Sequence, residues 1–515
     1  MKKTSRRPQL ETLEGRTLLS AGALDTTFGG TGVVTTNLGN SFSDRGEAVV
    51  VQPDLKVVVA GITNQSLPHS GFQQFTGLVR YNPDGTLDAT FGSGGTTWVP
   101  IDLGGGISSG RPTALFLQGD GKLVLVTTYG VTYGKGKNAE TRSDWLVVRL
   151  NPNGSLDTTF GGGTGHAVID FGSGNNAGGQ FFPYAPDVAI TVEPNDGRVV
   201  IAGPVDITNS AIDAPGFGSA VARLNANGTK DTTFGPGGWG WAGFGTASAE
   251  AVSIDSTGGI LVGGIDKDSS NSFGMSVVRY TPAGAVDTSF GSGGETIVHE
   301  PANQDYAHGM VLQSDGRIVL GGTEEVSNAP KELVLARLTS QGALDTTFGS
   351  SGFYTDPRLQ DRQRIAIAGG DKIVAVGRAS GTGLSVNVFQ VTRVLADGSS
   401  ADTTFGTNGV TQAQLSGSAL LQAYAITVAP DGKVVVAGAD LTQDANQSTR
   451  FATARFLGDT PAAPLLAATT TATPSAAPIV LDPSAANVVL GTTEFLDSLA
   501  FSRPRRAGSH WYTPR

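Results

Sequence analysis

Catalysis needs acids, bases, nucleophiles or metal ligands brought to one point, and this chain offers few. Two glutamates and a histidine, Glu47, Glu250 and His308, each stand directly before a short apolar run, in "EAVVV", "EAVSI" and "HGMVL". Carboxylates and an imidazole converging on one place could hold a hard metal ion or work as an acid–base pair. The other four histidines, His69, His166, His299 and His510, show no ligand spacing. There is no G-x-S-x-G elbow, no P-loop and no H-E-x-x-H pair. The absence of cysteine excludes disulfides, thiolate metal sites and cysteine nucleophiles. A second group, Tyr129, Tyr133, Phe181, Phe182 and Tyr184, lies in long polar stretches and would present the aromatic surface that recognises proteins or sugars. No cofactor is expected.

Bulk composition narrows the class. Of 515 residues 73 are glycine, without a triplet period, which fits short strands joined by tight turns. A net charge of −10 argues against nucleic acid as a partner, because phosphates must be neutralised by Lys and Arg. No run of about 18 apolar residues is present, so no membrane span is expected.

The elements that position these residues come from a repeat. The phrase D-x-[TS]-F-G recurs with its aspartate at Asp25, Asp88, Asp157, Asp231, Asp287, Asp345 and Asp402. Between phrases an apolar run, a polar turn and a second apolar run recur, as in "AVVVQPDLKVVVAG" from Ala48 and "AITVAPDGKVVVAG" from Ala425. A third run follows around an arginine: Arg80, Arg149, Arg223, Arg279, Arg337, Arg393 and Arg455. Each unit therefore holds about four strands, a to d, whose runs of about five residues are strand-like and too short for helices. Antiparallel four-stranded sheets cannot each bury two faces alone, and radial packing of seven gives an all-β, seven-bladed β-propeller. The array begins on a d phrase, "LDTTFGG" at Leu24, and ends on a c strand, "TARFLGD" at Thr453. The N-terminal strand is thus expected to complete the last blade. A phrase used seven times is structural: the aspartate caps a turn, the phenylalanine packs between blades, and the arginine pairs with a carboxylate.

The phrase "DTTFG…G", "DGK[IV]VVAG" and "RLNxDG", at a period near 60, resembles the delta-60 repeat family of bacterial proteins, with blades similar to NHL-type propellers. The resemblance covers roughly residues 24–458 and implies a propeller without an assigned common activity. Unit six departs most: "QRIAIAGGDKIVAVG" reads as shortened, and "GSSADTTFG" lacks the leucine before Asp402.

Four domains follow: an export or targeting segment at 1–23, the propeller at 24–458, a Pro/Ala/Thr-rich linker at 459–480, and a C-terminal tail at 481–515 expected to be mostly disordered. "RRPQLETLEGRTLLSA" resembles the N-terminal motif of many planctomycete surface and secreted proteins, which implies an extracellular or cell-surface location. In a four-stranded blade the a–b and c–d turns share one rim, and the b–c and d–a connections share the other. The a–b and c–d turns are nearly constant here. The long segments, "ITNQSLPHSGFQQF", "TTYGVTYGKGKNAETRSD", "FGSGNNAGGQFFPYAP" and "PVDITNSAIDAPGFG", all read as loops on the opposite rim.

Aligning the first a-strand position gives a channel-mouth ring of Glu47, Thr113, Val188, Glu250, His308, Gln363 and Tyr424. The sequence thus points to a non-enzymatic, monomeric binding or structural module of the bacterial envelope, recognising a protein or polysaccharide through the long-loop rim. The alternative is a lactonase-like hydrolase or lyase using Glu47, Glu250 and His308 at the channel mouth.

Overall fold

The computed structural model describes residues 20–459, except 39–43, 68–70, 100–111, 134–139, 170–187, 207–216, 243–247, 301–302, 326–330, 380–387, 416–420 and 442–448, together with Val489 and Leu490. Strand β1 (Val33–Thr36) precedes the first complete blade, β2 (Arg45–Val51), β3 (Val57–Leu67), β4 (Gly71–Tyr81) and β5 (Thr96–Trp98). Blade 2 comprises β6 (Pro112–Leu117), β7 (Leu123–Tyr133), β8 (Glu140–Leu150) and β9 (His166–Ile169). Blade 3 is β10 (Ala189–Val192), β11 (Val199–Asp206), β12 (Phe217–Leu224) and β13 (Trp239–Ala242). Blade 4 is β14 (Ser248–Ile254), β15 (Ile260–Lys267), β16 (Phe273–Tyr280) and β17 (Glu295–Val298). Blade 5 is β18 (Gln304–Leu312), β19 (Ile318–Glu325), β20 (Glu332–Leu338) and β21 (Phe353–Asp356). Blade 6 is β22 (Leu359–Ala368), β23 (Lys372–Ala379), β24 (Phe389–Val394) and β25 (Val410–Ala413). Blade 7 is β26 (Leu421–Val428), β27 (Val434–Asp440) and β28 (Arg450–Phe456), followed in the chain by the two-residue β29 (Val489–Leu490).

Every blade is an antiparallel meander, and the seventh takes its outer strand from the N-terminus. β1 pairs with β28 from Val33↔Ala454 to Thr36↔Phe451, and Leu24 bridges Phe456. The ring is thereby closed by strand pairing, as the chain ends predict. A backbone bond passes between successive blades at each junction: the glycine after each phrase phenylalanine donates to the next c–d turn or, into blade 7, to the segment before the N-terminal phrase. Gly92 N donates to Asn153 O at 2.8 Å, Gly161 N to Asn227 O at 2.8 Å, and Gly406 N to Ala21 O at 2.8 Å. The turn glycine must come very close for this. Gly85 has φ +83°, and a Cβ there would lie 2.5 Å from Gly29 N of the neighbouring blade, so only glycine fits.

The repeated phrase folds into one clasp per blade. In blade 2, Asp157 Oδ1 accepts from Thr159 N (3.0 Å) and Thr159 Oγ1 (2.7 Å), while Oδ2 accepts from Arg149 Nε at 2.7 Å. The Arg149 guanidinium lies 4.6 Å from the Phe160 ring centroid and donates to Ala226 O of blade 3 at 2.5 Å. Lys122 of the a–b turn adds a second cation 3.2 Å from Asp157. The seven phrase phenylalanines are all fully buried, each worth about 1.5–3 kcal/mol of burial. The clasp that closes blade 7 joins residues 430 apart, Arg455 Nε to Asp25 Oδ2 at 2.8 Å.

Two expectations are corrected. The b–c segments of units one and two are largely paired strand: β3 and β4 stay in register to Leu67↔Gly71, and β7 and β8 to Tyr133↔Glu140. These segments show no regular apolar alternation, so their sequence looks like loop. Unit six is not shortened at its inner strand. β22 has ten residues, and its register skips from Gln360 to Arg364, where the other bulged inner strands skip a single residue.

Candidate functional site

The channel-mouth ring is built by a repeated irregularity. In β2, β6, β14, β18 and β26 the pairing with the next strand skips one residue, and the skipped residues are Glu47, Thr113, Glu250, His308 and Tyr424. Gln363 lies in the longer irregularity of β22, and Val188 precedes β10. A β-bulge leaves its extra residue out of the ladder and re-aims the side chain, and five of the seven aligned positions are such bulge residues. Glu47 and Gln363 are completely buried, and Glu250, His308 and Tyr424 nearly so.

Two of the three predicted site residues meet. His308 Nδ1 of blade 5 lies 3.6 Å from Glu250 Oε2 of blade 4. Arg364 of blade 6 also reaches that oxygen, with Nη1 at 3.7 Å, and donates from Nη1 to the His308 carbonyl. Glu47 belongs elsewhere: its Oε1 is 2.6 Å from Arg45 Nε, and the Arg45 guanidinium lies 5.8 Å from the Tyr424 ring centroid of blade 7. Gln363 is held by Thr323 Oγ1 (2.8 Å) and by the Leu359 carbonyl (3.2 Å).

The sequence reading missed Arg364. Its signal was visible, since the position after the ring residue is Ala48, Ala114, Ala189, Ala251, Gly309 and Ala425 in the other units. Near the axis a small residue is the natural fit, and an arginine there must cross toward other blades. A guanidinium already neutralises the carboxylate that would be wanted by a metal. Among the described residues no group of three His, Asp or Glu is placed to hold a metal ion.

The opposite rim from the clasps carries two further features. Tyr129 and Tyr133 lie on β7, at alternate register positions paired with Asp144 and Glu140 on the projecting hairpin. Phe181, Phe182 and Tyr184 lie outside the described residues. Blade 5 gathers carboxylates that the sequence reading passed over. Glu300 N donates to Asp305 Oδ2 at 2.8 Å, and Asn303 donates to Glu324 Oε1. Glu332 and Glu300 both sit against Glu324. Burial, reinforced by Glu300 and Asp305, pushes Glu324 up to about 8, and burial pushes Asp305 up to about 6. Asp305 Oδ1 and Glu324 Oε2 have no hydrogen-bond partner among the described residues. Beside them His299 Nε2 contacts Asp268 Oδ2 at 3.1 Å.

A family model described as a domain of unknown function (DUF5122) beta-propeller matches residues 52–91, 118–160, 195–234, 256–290, 313–348 and 429–459. These segments fall on units one to five and seven, each beginning at or near the a–b turn. No curated protein matches in sequence. Among solved structures the chain is similar to a protein of unknown function from Dyadobacter fermentans DSM 18053, at 12% identity and TM-score 0.42, covering 83% of this chain and 98% of that one. The polysaccharide lyase Uly1 matches at 13% identity and TM-score 0.44, covering 82% and 91%. An alpha-L-arabinanase from Penicillium chrysogenum matches at 10% identity and TM-score 0.37, covering 80% and 92%.

Proposed function

We propose that this propeller is a binding module of the bacterial cell envelope, acting as a monomer at the cell surface after export directed by residues 1–23. Its working face is the rim opposite the clasps, and its ligand is an envelope protein or polysaccharide. One observation carries the reading. The b and c strands of blades 1 and 2 are 11 residues long, whereas those of blades 3 to 7 are six to eight. Extending a ribbon past the blade orders residues without adding to the blade core, a cost that contact with a partner offsets. The arm of blade 2 carries Tyr129 and Tyr133, residue types that give large contact area at small entropy cost. The repeat belongs with delta-60-like units and the N-terminal segment with planctomycete-type surface motifs on this same reading.

The test uses purified envelope polysaccharide and immobilised envelope protein as separate probes. Tyr129→Ala combined with Phe182→Ala is expected to abolish binding, while Glu47→Ala leaves it intact. Equal binding by wild type and the aromatic double variant would remove the rim from consideration. A second reading, a propeller-type hydrolase or lyase, draws on the 3.6 Å approach of His308 to Glu250. It requires an activity on envelope glycans or lactones that Glu250→Ala eliminates.

A further inference from the structure

The channel has two unlike halves. On the side of blades 4, 5 and 6 it is crossed by Arg364, which ties Glu250 and His308 together. On the other side lies β29, a segment of the tail expected to be disordered. Val489 pairs with Leu115 and Leu490 with Ala114, antiparallel, so β29 is a fifth strand on the inner edge of blade 2. It borders β2 of blade 1, β10 of blade 3 and β26 of blade 7. Each of the other six sheets among the described residues has four strands.

The inner edge of a blade presents unpaired N–H and C=O groups, which accept an added strand. Blade 2 suits an apolar strand because its ring residue is Thr113 and that of blade 3 is Val188, where blades 1, 4 and 5 have Glu or His. The tail offers "VVL" at 488–490, an apolar β-prone run in a Pro/Ala/Thr-rich stretch. The tether permits it. The 30 residues from Asp459 to Val489 span about 100 Å when extended, several times the width of a four-stranded sheet at ~4.8 Å per strand. Covalent tethering also holds the strand at roughly millimolar effective concentration, enough to seat a docking element too weak to bind as a free peptide.

We infer that the segment at Val489–Leu490 is an intramolecular plug, docking on the inner edge of blade 2 and closing the channel beside blades 1, 2, 3 and 7. The occupant of the channel is the chain's own tail, which leaves the rim as the face for external ligands and makes tail release the step that would open the channel.

Disulfide trapping tests this in the full-length chain, which has no native cysteine. Opposed residues of an antiparallel pair are about 4.5–5.5 Å apart at Cα, within disulfide reach. Leu490→Cys with Ala114→Cys should cross-link under mild oxidation at least about tenfold faster than Leu490→Cys with Ala251→Cys. Ala251 occupies the equivalent post-bulge position on blade 4, across the channel. Equal rates at both positions would overturn the plug, showing a tail that samples the surface at random. A second measurement covers the case in which a cysteine at the buried Ala114 harms folding. Amides of Ala114–Leu117 should exchange about tenfold faster in Leu490→Pro than in the unmodified chain. Unchanged exchange there would also overturn the inference.

Discussion

The two rims bury the same functional group and treat it in opposite ways. On the clasp rim all seven phrase aspartates are held below the usual carboxylate range. Burial resists their ionisation, but threonine or serine donors and an arginine outweigh it, and Asp231 comes down to about 2. On the opposite rim of blade 5, Asp305 and Glu324 are as well buried but have carboxylates for neighbours, and both go up. What a buried acid does is therefore decided by whether the fold supplies a cation within reach. The clasp supplies one in every blade because its arginine lies in the c strand, eight or nine residues before the aspartate it pairs with in blades 1 to 6. The blade 5 cluster is assembled from the β17–β18 connection, the start of β18 and the facing ends of β19 and β20, and no repeat constrains its charge.

The largest expected effect comes from removing a clasp cation. Arg149→Ala would leave Asp157 buried with only Lys122, strip the cation from Phe160, and cut the bond to Ala226 of blade 3. Breaking one partner of a buried pair costs roughly 3–5 kcal/mol. Urea unfolding of the variant should show a midpoint well below wild type. A loss under about 1 kcal/mol would mean that the clasp is no stronger than a surface ion pair.

The opposed pKa directions predict an opposed pH dependence. The clasp aspartates have lowered values when folded, so their contribution is complete above about pH 4 and is lost as pH falls toward about 2. Glu324 and Asp305 have raised values, so the folded chain holds protons that the unfolded chain has released. Their contribution is unfavourable, absent below about pH 4 and growing as pH rises through about 6 and about 8. Glu295, raised by burial and by Asp266, adds to the same slope. Stability should therefore peak on the acid side of neutrality. Glu324→Gln should raise the thermal midpoint at pH 8, leave it unchanged near pH 4, and flatten the fall between them. A variant with the wild-type slope would show that Glu324 does not carry the repulsion.

How much of this was legible follows the same division. The blade count, the ring closure and the clasp partners could be read because Asp, Arg and Phe recur at fixed offsets, and a period constrains every copy at once. The inner-strand bulge positions could be aligned because five of them stand directly before an apolar run. Arg364 was one letter away from being found, an arginine in a column of alanines. The hairpin arms were misread, since their sequences carry no apolar alternation to detect. The blade 5 acids come from the β17–β18 connection and from β18, β19 and β20, and only folding brings Glu300 to Glu324. The plug strand spans two residues, below any pattern that periodicity can reveal.

The smallest effect, and the sharpest use of the comparison, lies in blade 4, the clasp that is incomplete. Six a–b turns supply a second cation to the phrase aspartate: Lys56, Lys122, Arg198, Arg317, Lys372 and Lys433 lie 2.9–3.3 Å from theirs. In blade 4 that position is Gly259. Arg279 has turned toward it, pairing with Asp255 at 2.9 Å and standing off from Asp287 at 3.4 Å, with its guanidinium 6.0 Å from the Phe290 centroid. A Cβ on Gly259 would meet Asp255 Oδ2 at 2.6 Å and Arg279 Nε at 2.7 Å, both atoms of movable side chains. Gly259→Lys should displace the guanidinium back over Phe290 and give Asp287 its second partner. The added pair stays near the surface, so the gain is expected to be about 0.5–1 kcal/mol, with part of it from the glycine itself. Gly259→Ala separates the two contributions. If alanine stabilises as much as lysine, backbone entropy accounts for the gain and blade 4 lacks nothing that a cation would restore. If lysine alone stabilises, the two-cation clasp is the optimum that the other six blades have reached.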